Sequence, residues 1–177
     1  MDLKKYADFY HVDISTQIEN KWKNDSVLAI VKNSRRYSIK IRGRDKEELK
    51  RRFILNEDSD SAKKHNKKVV ALIYSYILYK ALCEFSEAKP LLLCRDVRPE
   101  RFVEHYLRKV AYFFKDTNIL NREIKFRKRI EFETKDKLPK SLAGRYARKV
   151  YQGKLPASKI LSNQEIDELI EIIGKIL

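Results

Sequence analysis

The longest apolar segment of the chain is VVALIYSYILYKALCEF, which runs from Val69 to Phe85. Its apolar residues would nearly encircle a helix and leave a narrow polar stripe through Lys80, Glu84 and Glu87. A helix of this kind packs against other elements on several sides. Charged residues interrupt the segment, so a buried helix explains it better than a membrane span. We therefore expect a long central helix from about Ser61 to Glu87.

Two strands are expected before this helix. Val27–Lys32 is a continuous apolar run, typical of a strand buried on both faces, whereas Tyr37–Arg42 alternates between apolar and polar residues. Asn33 and Ser34 supply turn chemistry between the two segments, which predicts a β-hairpin. The chain before the hairpin, Asp2–Trp22, is interpreted as one or two short helices.

The segments on either side of the central helix are assigned in the same way. Phe53–Leu55 is either a third short strand or the end of a helix that begins at Asp45. Leu91–Cys94 is expected to form a buried strand, and Pro99 suits the first position of the helix that follows it. Apolar residues then recur with a period of two between residues 124 and 132, which predicts a strand with one face in the core.

Two helices are expected in the last part of the sequence. One spans Lys140–Gln152 and ends at a glycine. The other opens with Ser162, followed three residues later by Glu165, which is the pattern of a capping box. Together the elements predict one domain over residues 1–177, of the α/β or α+β class, in which a small mixed sheet packs on the long buried central helix. Residues 1–24 are interpreted as an N-terminal helical extension.

The charge of the chain is strongly unbalanced. Lysine and arginine number 40 against 25 aspartate and glutamate residues, which gives a formal net charge of +15. Surface ion-pair networks would predict balanced charge, so the excess of cations indicates a polyanionic partner. We expect that partner to be nucleic acid, with membrane lipid and an acidic protein as the alternatives. A hydrophobic content of 43% excludes a disordered basic tail.

The cysteine and histidine content argues against a zinc site. Cys83 and Cys94 are the only cysteines, and each lies inside an apolar element, as expected for small core residues in a reducing compartment. The three histidines have no close ligand spacing. Residues 1–10 have no apolar run behind their lysines, so no secretory signal is predicted. We expect a cytoplasmic protein without a resident cofactor.

Basic residues on two predicted strands form the first candidate site. Strand alternation would point Lys40 and Arg42 outward together, and Lys125, Arg127 and Arg129 outward together. If the two strands share a sheet, these side chains would form a patch that matches a phosphate backbone. The alternative is that any half-exposed strand needs polar residues on its outer face, and in this sequence such residues are usually basic.

The predicted helix Lys140–Gln152 and the residues after it carry the second candidate site. Four cations there would contact phosphates, namely Arg145, Arg148, Lys149 and Lys154. Tyr146 and Tyr151 would stack on unpaired bases if they are exposed. The alternative for Tyr146 is a core position, because it falls in a helical stripe with Leu142 and Val150.

An acid at the end of a predicted strand is the third candidate. Asp96 follows the apolar strand Leu91–Cys94 and precedes a helix, a position where binding and catalytic groups of open α/β sheets often collect. Two-metal nucleases gather such carboxylates around Mg²⁺. The alternative role for Asp96 is that of a turn or helix-capping aspartate beside Pro99.

The order of these elements resembles that of ribonuclease H-like proteins: a hairpin, a third strand, a long helix, a strand, a helix, a strand and a terminal helix. The resemblance covers roughly Val27–Leu177 and rests on element order. It implies metal-binding acids on the first strand, on the first helix and after the fourth strand. Asp96 matches the last position, and Asp60, near the start of the long helix, is a weaker match to the second. The strand Val27–Lys32 contains no acid, and Asp25 only precedes it.

These observations favour binding over catalysis. We expect a basic protein that binds DNA or RNA through backbone phosphates as an accessory part of a larger complex, with no membrane partner. A metal-dependent nuclease that uses Asp96 and Asp25 with Mg²⁺ is the first alternative. The second alternative is a protein-interaction subunit or homo-oligomer in which exposed aromatics such as Tyr112 or Phe113 form the interface.

Overall fold

A six-stranded mixed sheet lies at the centre of the computed structural model, which describes residues 6, 8–19, 21–94, 100–134 and 141–177. The strands are β1 (Tyr10–Ser15), β2 (Ser26–Lys32), β3 (Arg35–Ile41), β4 (Leu91–Leu93), β5 (Ile124–Phe126) and β6 (Lys159–Ile160). Their order across the sheet is β5-β4-β1-β2-β3-β6. Strand β2 runs antiparallel to its neighbours β1 and β3, whereas β1–β4, β4–β5 and β3–β6 are parallel pairs.

Seven helices accompany the sheet within the described part of the chain. They are α1 (Gly43–Phe53), α2 (Asp60–Leu82), α3 (Glu100–Phe113), α4 (Thr117–Leu120), α5 (Arg127–Thr134), α6 (Leu142–Tyr151) and α7 (Asn163–Ile176). The predicted mixed α/β class is therefore confirmed, as is the long helix in the middle of the chain.

The inner face of the sheet, which we define as the side covered by α2, holds the main core. On β1, Tyr10, Val12 and Ile14 point into this core, and the residues between them are half-buried on the opposite side. Helix α2 is buried around almost its whole circumference between Val69 and Leu82. It packs against β2 and β3 on one side and against α3 and α7 on the others.

The outer face of the sheet is covered by α6 and by a second apolar cluster. Ala143, Ala147 and Val150 of α6 lie towards the sheet, where α6 packs on β1 and β2. Their partners on β2 are Val27 and Ala29. The second cluster consists of Tyr6, Phe9, Leu92 and Ile130. Because both faces are covered, β2 is buried along almost its whole length, which explains its continuous apolar sequence.

The helical interpretation of the N-terminal segment is wrong for residues 10–15. Residues 10–15 form β1, which lies in the middle of the sheet between β2 and β4. The signal was present in the sequence, because Tyr10, Val12 and Ile14 are apolar and alternate with polar residues, as they do in a half-buried strand.

The predicted strand over residues 124–132 is also too long. It ends at Phe126, and α5 begins at Arg127. Ile124 and Phe126 pack in or against the main core, whereas Ile130 belongs to the cluster on the outer face. Residues an even number apart on one strand face the same side of a sheet, so a continuous strand could not place Ile124 and Ile130 on opposite faces.

Other elements form as the sequence predicts. The hairpin of β2 and β3 turns at Asn33, which adopts a positive φ of 55°. Phe53 is the end of a helix and not part of a third strand. Helix α7 begins with a capping box, in which the Ser162 hydroxyl accepts from the Glu165 N–H and the Glu165 carboxylate accepts from the Ser162 N–H.

A buried lysine holds the loop between β1 and β2. Lys46, on α1, is fully buried. Its Nζ donates to Ser26 Oγ at 2.8 Å, to the Lys21 carbonyl oxygen at 3.0 Å and to the Ile18 carbonyl oxygen at 3.4 Å. Burial lowers the pKa of Lys46 to about 8, against the opposing effect of nearby acids. The loop thus depends on an amine that loses its proton more readily than an exposed lysine does.

Replacing Lys46 by methionine is expected to lower the free energy of unfolding by about 1–3 kcal/mol, because buried loop acceptors lose their donor. Between pH 8 and 10.5 the unfolded chain binds more protons at Lys46 than the folded chain does. The stability of the wild-type protein should therefore rise, relative to that of Lys46→Met, as the pH increases through this window. Urea unfolding followed by circular dichroism measures both effects. A wild-type advantage that shrinks from pH 8 to 10.5 would contradict the assignment.

Candidate nucleic-acid interface

The solvent side of α6 carries a row of cations. Arg145, Arg148 and Lys149 are exposed, and none forms an ion pair with an acid in the described residues. Ser141 is the N-cap of the helix, and its Oγ accepts from the Gly144 N–H at 3.4 Å. No acidic residue occurs in the sequence between positions 136 and 165. The positive charge of this helix is therefore not balanced by acids of its own segment.

The loop between β1 and β2 adds cations at the end of α6. The Asn24 side-chain amide donates to the Tyr151 hydroxyl oxygen at 3.2 Å, which joins the loop to the last residue of the helix. Hydrogen bonds from Thr16 and Asn24 lower the pKa of Tyr151, and the charge of Lys21 acts in the same direction. Lys21 and Lys23 are exposed. We define the α6 basic surface as Arg145, Arg148, Lys149, Lys154, Lys21 and Lys23.

The two tyrosines of α6 are used within the fold. The Ser38 hydroxyl donates to the Tyr146 hydroxyl oxygen at 3.4 Å, and Tyr146 packs against the apolar cluster beneath α6. Tyr151 packs against the same cluster and accepts from Asn24. The core interpretation of Tyr146 is therefore the one that the structure supports.

The predicted strand cations do not join into one patch. Three strands separate β3 from β5 in the sheet, so Lys40 and Lys125 are about 19 Å apart across it at the usual strand spacing. Lys40 forms an ion pair with Asp25 at 3.1 Å, and Lys125 forms one with Glu123 at 3.0 Å. Lys125 also lies over the Phe9 ring, 5.4 Å from its centroid.

The remaining predicted contacts lie outside the strands. Arg127 and Arg129 belong to α5 and not to a strand. Arg127 is buried, with a guanidinium nitrogen 4.0 Å from Glu131, whereas Arg129 is largely exposed and lies 3.7 Å from Glu100. Arg42 is half-buried at the N-cap of α1. Of these three, only Arg129 is exposed, and its charge is paired with Glu100.

The acids predicted for a metal site are dispersed or already engaged. Asp25 accepts from the Gly43 N–H at 2.9 Å and from Lys40. Burial raises its pKa, but these hydrogen bonds outweigh burial and the net pKa is lowered. Asp60 is exposed at the start of α2, 3.7 Å from the Lys63 amine. Asp96 lies outside the described residues.

An acid that was not predicted lies on the central strand. Asp13 is half-buried on the outer face of β1, where its Oδ1 accepts from the Ile14 N–H at 2.9 Å. Burial above all raises the pKa of Tyr74, and nearby Cys94 and Asp13 act in the same direction. The Tyr74 hydroxyl is buried without a hydrogen-bond partner. Asp60 precedes Tyr74 by 14 residues on α2, which is about 21 Å along the helix axis. Asp60 is therefore remote from the part of α2 that lies near Asp13.

Helix α6 touches Asp13 directly. A Cβ atom added to Gly144 would lie 2.6 Å from Asp13 Oδ2 and 3.1 Å from its Cγ. Glycine at position 144 is thus the residue that lets the first turn of α6 pass over this carboxylate. The period-two pattern of β1 was the sequence signal that would have revealed Asp13, since it places Asp13 on the face opposite to Val12.

The comparisons with known proteins give no family assignment. No family model, curated protein or solved structure matches the chain. Within the described ranges, no group of three or more histidine, cysteine, aspartate or glutamate residues is placed to hold a metal ion. A search of the same residues found no helix with the length and apolar character needed to cross a membrane.

Replacing Gly144 by alanine is expected to lower the free energy of unfolding by about 1–3 kcal/mol, because the new methyl group overlaps the Asp13 carboxylate. In an Asp13→Ala background the same change should be neutral or stabilising, since alanine favours the helix by about 1 kcal/mol. A double-mutant cycle measured by urea unfolding gives the coupling free energy between positions 144 and 13.

Gly174→Ala is the matched control, because Gly174 also lies on a helix and nothing is within 4 Å of its added Cβ. This change should stabilise the protein slightly. If Gly144→Ala is as well tolerated as Gly174→Ala in the wild-type background, the contact between α6 and Asp13 is refuted.

Proposed function

We propose that the protein binds nucleic acid through backbone phosphates at the α6 basic surface. The observation that carries the proposal is the row of exposed cations on one side of α6, in a segment without acidic residues. Most predicted cations on or near the strands differ from this row, because Lys40, Lys125, Arg127 and Arg129 lie close to acids. An unpaired cation keeps its full attraction for a phosphate and releases counterions when it binds one.

The size of the surface sets the expected salt dependence. If its six cations each neutralise one phosphate, the affinity should fall about a thousandfold between 50 and 200 mM salt. Such contacts position a protein on a backbone without reading base sequence. The proposal is therefore one of sequence-unspecific binding, as suits an accessory component of a larger complex.

The double variant Arg148→Gln/Lys149→Gln is expected to weaken nucleic-acid binding and to reduce the slope of log K against log salt by about 2, because two phosphate contacts are lost. Fluorescence anisotropy over a salt series measures both quantities. Glutamine keeps the helix propensity close to that of arginine and lysine.

The control for this variant is Arg101→Gln/Lys109→Gln. Arg101 and Lys109 are exposed on α3, which lies on the inner side of the sheet. The control removes the same charge from the opposite side, so it should change the affinity much less. Equal losses in the two variants would show that net charge alone drives binding, and the proposed surface would then be abandoned.

A metal-dependent nuclease of the ribonuclease H-like type is the second candidate function, and the position of Asp13 favours it. The elements follow in the order of three antiparallel strands, two helices, β4, two helices, β5, two helices, β6 and a last helix, so a ribonuclease H-like order would begin at β1. The first strand then contains an acid, Asp13, in place of Asp25. Its neighbour β4 runs parallel to it, and Asp96 follows β4 in the sequence.

Asp13 and Asp96 are the residues that would hold Mg²⁺ in this second function. Mg²⁺ commonly binds one or two carboxylates together with substrate phosphates and water, so two acids are a sufficient donor set. The bound ion would neutralise charge on a phosphodiester beside Asp13. Asp25 would contribute nothing, since Gly43 and Lys40 already occupy its carboxylate.

If this second function is correct, labelled DNA or RNA incubated with the protein and Mg²⁺ or Mn²⁺ is cleaved, and Asp13→Asn abolishes cleavage while leaving binding intact. Asp25→Asn serves as the control and should retain cleavage. Gel electrophoresis of the products gives the rate, and anisotropy gives the affinity. Binding by the wild-type protein without cleavage in either metal would reject the nuclease and leave the binding function standing.

A further inference from the structure

We infer that the nucleic acid held by the α6 basic surface is double-stranded, a conclusion that rests on the proposed binding function. The inference follows from where the aromatic rings of the protein lie. Proteins that bind single strands combine a basic groove with exposed aromatic rings, and each stacked base contributes about 1–3 kcal/mol. None of the six residues of the α6 basic surface is aromatic, and the aromatic residues beside them are half-buried.

The three aromatic rings next to the cations pack against apolar clusters of the fold. Tyr146 and Tyr151 pack against the apolar cluster under α6, and their hydroxyls are bonded to Ser38 and Asn24. Trp22 lies between Lys21 and Lys23 in the sequence, but its ring packs against the main core. All three residues are half-buried, so each ring is covered on the side that packs within the fold, and this reduces the aromatic surface open to a base.

Among the residues that the structure describes, the exposed rings lie on the other side of the sheet. Tyr112 is 77% exposed and Phe113 is 37% exposed, both at the end of α3. Helix α3 packs on α2 at the inner face, whereas α6 covers the outer face. The sheet separates these rings from the α6 basic surface, so one short stretch of backbone does not contact both.

The cations themselves suit a rigid partner. Arg145 and Lys149 are about 6 Å apart along the axis of α6, and the Asn24 hydrogen bond fixes the loop that carries Lys21 and Lys23. A single strand would lose conformational freedom on this row, and half-buried rings offer little stacking to offset that loss beyond the phosphate contacts that a duplex also makes. A duplex is already ordered and carries one charge per about 1.7 Å of its axis.

The test compares duplex DNA, duplex RNA and the corresponding single strands, all of one length and one sequence, by fluorescence anisotropy with the full chain. At least one duplex should bind about tenfold more tightly than either single strand, a ratio equivalent to the loss of one stacked base. Arg148→Gln/Lys149→Gln should weaken duplex binding. A single strand that binds as tightly as both duplexes, or more tightly, overturns the inference.

Two ring variants sharpen the comparison. Tyr112→Ala removes an exposed ring that supports no core, and it should not change the preference for duplex. Tyr151→Leu removes the ring under α6 together with the hydroxyl that accepts from Asn24, so Tyr151→Phe, which loses only the hydroxyl, is its control. Tyr151→Leu should show the same preference for duplex as Tyr151→Phe. A selective loss of single-strand binding in Tyr151→Leu, with thermal unfolding unchanged, would show stacking at α6 and overturn the inference. Absence of all binding at low salt is a different result, because it rejects the proposed function itself.

Discussion

The packing of α2 against the inner face of the sheet determines which surfaces of the protein remain accessible. This helix is buried on nearly every side between Val69 and Leu82, and β2, β3, α3 and α7 all pack against it. Burial of so many apolar side chains is the main favourable contribution to folding. It also covers the inner face of the sheet, while α6 and the second apolar cluster cover the outer face. The exposed cations therefore lie on helix surfaces and in loops, such as the solvent side of α6.

The elements that sequence reasoning predicted correctly are those whose signal is local. The hairpin of β2 and β3, the long helix α2 and the capping box of α7 each depend on residues close together in the chain. Strand β1 is different, because its neighbour β4 lies about 80 residues further along the sequence and no local pattern records that pairing. Its six residues alternate between apolar and polar side chains, but so short an alternation does not by itself distinguish a strand from a short helix.

The candidate site shows the same division. The cations of α6 were predicted because they cluster with two tyrosines in one short stretch, which is visible in the sequence. The strand patch was predicted from alternation, which tells which side a residue faces and does not tell which strands are neighbours. It also does not tell that Asp25 would lie 3.1 Å from Lys40. Asp13 was missed for the reason that β1 was missed, since an acid has no assigned position until its strand is placed.

The position of α6 ranks the two proposed functions. Its buried side passes over Asp13 at Gly144, and its solvent side carries Arg145, Arg148 and Lys149. A helix with its side chains is about 10–12 Å across, so a phosphate bound to those cations is held roughly one helix diameter from the Asp13 carboxylate. Contact of one phosphate with both is excluded by this distance. Cleavage at Asp13 would therefore need a second stretch of nucleic-acid backbone bound beside Asp13. Binding at α6 needs nothing beyond the surface already present.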